Sequence, residues 1–431
     1  MKRSVKIAAV MLVSAMLCSC DLYQPDVESL LTPPLLSDLQ AEVDDALRDV
    51  VGQDLHLHYP VEGDYRSPYL FFDLDQDGNE EALVFYSLEE DDGTTYLQLM
   101  SHDGTQWRAG TALPGKGAEA AFVQFCPFYS AEEASILVGW NDANRGSSIA
   151  AVYSLEQNGL KELYATPYDR LAIADFNEDG IMELLTARQQ NGILLRLIGA
   201  ENGELTILDS KTSTLELQTL FRPVIGNISR NLPGIVLSGR INADITAAVA
   251  VGVQEKQLLL PQEEKAGSYH GSYCYSGAQP TDSNGDGIID LPWSTLAPGY
   301  SAGAAEETRY FTEYRVFEAG SYCPVTVSYE NVTDGWRLLL PEGWLDRYHE
   351  NRLSLVRQAE TREVIFFCYT GSLTDRGDEL LRLRVVTAAE SVPDESYTLL
   401  AARGQFTYYA KLPAGSDLTV EAVQKVFSLL G

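Results

Sequence analysis

The chain has 431 residues, 62 acidic against 31 Lys and Arg, and a formal net charge of −31. That length exceeds one ordinary core and implies two or three domains. Apolar residues make up 45%, enough for a globular fold, while the acidic balance repels nucleic acid and anionic membrane surfaces and suits cations.

Lys2, Arg3 and Lys6 open the chain and precede an apolar run from Ile7 to Leu17. The run is too short to span a bilayer as a helix. It ends in Leu17-Cys18-Ser19-Cys20, which resembles a bacterial lipobox. The resemblance implies cleavage after residue 19, a diacylglycerol on Cys20, and an extracytoplasmic protein held on the cell membrane. A plain secretory leader is the alternative. Residues 20–36 carry Pro25, Pro33 and Pro34 and read as a tether. The next segment, "SDLQAEVDDALRDVVG", predicts a helix. Ser37 and Gln40 form its capping box, Leu39, Val43, Leu47 and Val50 form its apolar face, and Gly52 stops it.

From Tyr59 to Tyr300, apolar or alternating runs of four to eight residues are separated by Gly, Asp and Asn turns, the pattern of short strands. "DLDQDGNEE" at Asp73 returns as "DFNEDGIME" at Asp175 and as "DSNGDGIID" at Asp282. The looser segments "FVQFCPFYSAEEASILVGW" and "VIGNISRNLPGIVLSG" fall halfway through the two gaps. The period is therefore about 51 residues over roughly five units, each long enough for a four-stranded propeller blade. The expected fold is mainly β: a β-propeller-like repeat domain over residues 37–300, including the capped helix, followed by a small α+β domain over 301–431. In the tail, Val420, Val423, Phe427 and Leu430 mark one face of a closing helix, and Trp336 and Trp344 are expected in its core. A competing reading continues the repeat into the tail through Asp334-Gly335.

The acidic loops predict a metal. In the first, Asp73, Asp75, Asp77, Asn79 and Glu81 occupy positions 1, 3, 5, 7 and 9. In the second these are Asp175, Asn177, Asp179, Ile181 and Glu183; in the third, Asp282, Asn284, Asp286, Ile288 and Asp290. Ca2+ takes six to eight hard oxygen ligands. Positions 1, 3, 5 and 9 offer side-chain oxygens, position 7 needs only its carbonyl, and Gly78, Gly180 or Gly287 at position 6 permits the turn. The structural alternative is a solvated Asp/Asn/Gly turn. These loops are not EF-hands, because position 12 is Val84, Thr186 or Trp293 and the flanks are strands. The third loop runs into Leu291-Pro292, which predicts an early end to its strand.

The pattern resembles the FG-GAP or VCBS-type repeat, whose loops bind calcium between strands of a β-propeller, as in integrin α-subunit heads. With the lipobox, the chain is similar to VCBS-repeat lipoproteins. The resemblance implies a structural calcium role in a non-enzymatic, lipid-anchored binding module, its partner an envelope protein or a polysaccharide. A glycan-active hydrolase or lyase, or an envelope assembly scaffold, is the alternative.

The usual catalytic motifs are missing: no HExxH, GxSxG, P-loop or helix-opening GxGxxG is present. His56 and His58 alternate on one face of a predicted strand and could bind a metal, although filler is the commoner role for such a pair. The Tyr/Ser/Gly stretch Gly267 to Gly277 suits sugar or protein contacts, or is a surface loop. Cys126, Cys274, Cys323 and Cys368 follow the leader at wide spacings; Cys323 and Cys368 are the plausible pair if one forms, and free thiols are the alternative.

Overall fold

The structure is a computed structural model. It describes residues 36–89, 93–131, 133–142, 147–156, 159–261, 271–275, 277–301, 309–318, 321–387, 390 and 394–430. The leader, Cys20, the tether and part of the Gly267–Gly277 stretch lie outside the described residues.

The protein is mainly β. Six antiparallel sheets follow one another along the chain. The first spans residues 55–114, the second 119–168, the third 170–213, the fourth 219–274, the fifth 291–339 and the sixth 353–411. Most are meanders in which sequence neighbours pair, so each sheet closes locally. The sheets stack face to face. Leu83 and Phe85 of the first meet Ile136 and Trp140 of the second. Leu137 and Val152 of the second meet Leu184 and Ile198 of the third. Leu185 and Leu197 of the third meet Leu237 and Val249 of the fourth. Val236 and Ala248 of the fourth meet Leu291 of the fifth. Tyr329 and Trp336 of the fifth meet Phe366 and Leu383 of the sixth. Central strands are thus buried on both faces, which is why runs such as "ALVFY" lack polar alternation. In the strand Glu81–Leu88 the first six residues are all buried.

The helix Asp38–Val51 covers the outer face of the first sheet, with Val43 and Leu47 against Ala82, Val84 and Met100. Its capping box forms as the sequence predicts, and the Gly52 N–H donates to the Arg48 carbonyl. The expected apolar face is only half right: Leu39 and Val50, at the helix ends, are 40% and 67% exposed. Ala46 and Val51 take their share of the contact.

The sheets do not keep the expected period throughout: their first strands begin at Leu55, Glu119, Arg170, Thr219 and Leu291, and only the steps from the second to the third and from the third to the fourth come near it. The acidic loops share one kind of slot, a tight turn: the first two lie between Tyr69–Phe72 and Glu81–Leu88 and between Arg170–Ala174 and Glu183–Gln189, and the third precedes Leu291–Leu296. The looser segments fill the same slot as hairpins, with Ser130 paired to Glu133 in the second sheet and Ser229 to Leu232 in the fourth. Asp334-Gly335 sits at a later hairpin of the fifth sheet, where Asn331 pairs with Trp336, so it is not a copy of the motif.

Three expectations in the last third are corrected. Pro292 does not end its strand: Leu291–Leu296 continues and pairs Pro292 with Tyr314. This strand is the edge of the fifth sheet, where a missing N–H is tolerated. The boundary expected at residue 300 falls between two paired strands, Leu291–Leu296 and Tyr310–Glu318, so the fifth sheet takes residues from both sides of it. The closing helix is shorter than predicted. Thr419 caps Val420–Val426, and Phe427–Leu429 then joins the fifth sheet beside Trp336 and Leu338. Pairing that exposed edge supplies more backbone hydrogen bonds than another half-turn of helix. Trp336 and Trp344 do lie in the core, 1% and 0% exposed. All four described cysteines are free.

Candidate metal loops

The three acidic loops share one geometry. The residue before position 1 pairs with position 9 in each: Phe72 with Glu81, Ala174 with Glu183, Thr281 with Asp290. Each loop is therefore an eight-residue excursion between paired residues, which end a strand ladder in the first two copies and form an isolated bridge in the third.

Position 9 is the buried pivot. Glu81 is 7% exposed, Glu183 5% and Asp290 0%. Each turns one carboxylate oxygen back to the N–H of position 2, accepting from Leu74, Phe176 and Ser283 at 2.9 Å in every case. Position 1 then holds the far side of the turn: Asp73, Asp175 and Asp282 accept from the N–H of Gly78, Gly180 and Gly287 at 3.1, 2.8 and 2.9 Å. Position 3 accepts from the N–H of position 5, Asp75 from Asp77, Asn177 from Asp179 and Asn284 from Asp286. Position 5 accepts from the N–H of position 7, Asp77 from Asn79, Asp179 from Ile181 and Asp286 from Ile288. The loop thus needs side-chain acceptors at 1, 3, 5 and 9 but only backbone at 7, which accounts for Asn or Ile there. Asn79 turns its amide toward Asp77.

Two positions are left-handed in every copy. Glycine at position 6 has φ of 91°, 84° and 82°. Position 4 is also left-handed, at 59° for Gln76, 60° for Glu178 and 83° for Gly285. Sequence reasoning missed position 4, because only the third copy marks it with glycine. The two turns together curl the loop; in the first copy they gather Asp73, Asp75 and Glu81 about one centre, whereas among the described residues the three carboxylates of the second copy and those of the third do not come that close together.

That centre is short of positive charge. In the first loop one oxygen each of Asp73, Asp75 and Glu81 lie within 4.8 Å of one another. Asp73 Oδ1 and Asp290 Oδ1 are buried with no hydrogen-bond partner. Burial first, then repulsion from the neighbouring aspartates, raises the carboxyl of Glu183 to about 7 and moves those of Glu81 and Asp290 upward. In the second and third loops the Asn177 and Asn284 amides donate to Asp179 and Asp286, a neutral donor where the site calls for a cation. An all-oxygen donor set, acceptors left unsatisfied and crowded carboxylates are what a calcium ion would relieve. When bound, the ion supplies charge neutralisation and a cross-link between positions 1, 3, 5 and 9.

The histidine pair does not converge. His58 Nε2 lies 2.8 Å from Ser87 Oγ, and His56 faces Glu89 at 3.6 Å, both on the first sheet.

No family model matches this chain, and no curated protein matches it. Among solved structures, an exotype rhamnogalacturonan lyase, YesX, matches over 73% of this chain and 64% of its own, at 11% identity and a TM-score of 0.23. A rhamnogalacturonan lyase, YesW, matches over 73% and 63%, also at 11% and 0.23. The chain spans less than two thirds of the length of these enzymes, and a likeness of this size says nothing of its chemistry.

Proposed function

We propose that the protein is a calcium-stabilised binding module, a row of β-sheets held outside the cytoplasm by a lipid on Cys20 and presenting its surface to an envelope protein or polysaccharide. The observation that carries the metal part is the threefold recurrence of one loop geometry with a buried, charge-starved carboxylate at position 9. Ions at Asp73, Asp75, Asp77 and Glu81, and at the matching residues of the other two loops, would hold together the paired residues that close each loop. The role is structural: extracellular modules bind calcium at about 10⁻⁴–10⁻³ M, a range that a calcium-rich exterior fills steadily. The anchor rests on the N-terminal motif; among the described residues no helix is long and apolar enough to cross a membrane.

Equilibrium dialysis of the purified protein against calcium tests the reading. About three ions per chain are expected at millimolar calcium, one for each loop, and Asp290→Ala should remove one of them. Less than one ion per chain at that concentration would overturn it.

A further inference from the structure

On a chain with net charge −31, one cleft is basic. It has a volume of about 360 Å³ and lies where the fifth and sixth sheets meet, near the lower end for small-molecule sites. Three segments distant in sequence build it. Tyr300 and Arg309 flank the connection between the first two strands of the fifth sheet. Arg357 and Gln358 end the first strand of the sixth, and Leu373 and Arg376 come from the loop after its second. Its described lining holds three arginines and no carboxylate.

The guanidinium groups are held in place. Arg376 donates from Nε to the Leu373 carbonyl at 2.9 Å and lies 5.6 Å from the centre of the Phe367 ring. Arg309 lies 5.4 Å over the Tyr300 ring, whose hydroxyl donates to the Leu355 carbonyl at 3.0 Å. Arg357 donates to Asp334, but that one carboxylate also takes two donors from Arg362, so a single negative charge is divided between two positive ones. Gly299 makes the walls fit. Its φ is +95°, and a Cβ there would lie 2.8 Å from both the Leu373 and the Tyr369 side chains. A loop brought that close, by a residue that only glycine suits, closes the cleft on one side.

We propose that this cleft binds a small ligand through an oxyanion, a carboxylate or a phosphate, gripped by Arg376 and Arg357 with Arg309 at the rim. Guanidinium forks match such groups bidentately. The aliphatic Leu373 and the Tyr300 ring face the ligand body. The acidic field of the whole chain repels polyanions, so the ligand carries few charges, as an acidic sugar or a sugar phosphate does. This gives the proposed binding role a ligand class, and it does not depend on calcium, since no loop residue lines the cleft.

Calorimetric titration of the purified protein with glucuronate, glucose 6-phosphate and glucose tests it, once in calcium and once in chelator. Saturable binding of at least one acid, in both conditions, is expected, with none for glucose. The tighter acid identifies the oxyanion. Arg376→Gln, at an exposed position, should weaken that binding about tenfold or more, and Arg309→Gln less. No saturable heat with either acid, equal binding of glucose, or an unchanged affinity in Arg376→Gln would overturn the proposal. Loss of acid binding in chelator alone would tie the cleft to the metal loops and overturn its independence from them.

Discussion

Asp334→Ala is expected to cost about 3 kcal/mol of stability, seen as a lower denaturation midpoint in urea. The residue is 1% exposed at a hairpin of the fifth sheet. Its Oδ1 accepts from Arg362 at 2.9 Å, and its Oδ2 accepts from Asn331 at 2.9 Å and from Arg357 at 3.3 Å. Its own carbonyl accepts from the Tyr408 hydroxyl at 3.0 Å. Arg357, Arg362 and Tyr408 all belong to the sixth sheet or its turns, so this one aspartate pins the last two sheets together. Removing it strands two guanidinium groups, which are 22% exposed and so recover part of their hydration. That places the cost at the lower end for a broken buried pair. A loss under about 1 kcal/mol would mean that the apolar contact of Trp336 and Phe366 holds the sheets without the ion pair.

Glu183→Gln is expected to change sign with the metal. At pH 8 in chelator the native carboxylate is buried, ionised and repelled by Asp179 and Asp175, above the value of about 7 to which that environment raises it. The isosteric amide removes the charge and keeps an acceptor for the Phe176 N–H. It should therefore stabilise by about 1 kcal/mol or more. With calcium saturating, the same change removes a ligand and the site's contribution of about 1.4 kcal/mol or more, the figure for tenfold saturation. Matched urea melts in both conditions check it. The same sign in both would show that Glu183 is a solvated-turn residue with no metal to hold.

Local chemistry made much of this legible in the sequence. Ser37 and Gln40 announced the first helix because a capping box is a four-residue device. The acidic loops were visible because the spacing of their acidic residues is also local, and because it recurs. What sequence could not show depends on neighbours. Pro292 reads as a strand breaker until the strand is known to be an edge. Phe427 reads as helical until the open edge beside Trp336 is there to pair with it. The left-handed turn at Gln76 and Glu178 carries no residue signature. The basic cleft is assembled from Arg309, Arg357 and Arg376, which share no pattern and meet only because two sheets pack together.

The most direct measurement is thermal unfolding of the purified protein in chelator, in about 1 mM calcium and in the same concentration of magnesium. Three sites of about 1.4 kcal/mol each would raise Tm by about 4–5 °C in a chain of this size. Magnesium, smaller and reluctant to shed water, should leave it nearly unchanged. A Tm that stays the same in chelator and in calcium would contradict the account and leave the acidic loops as solvated turns.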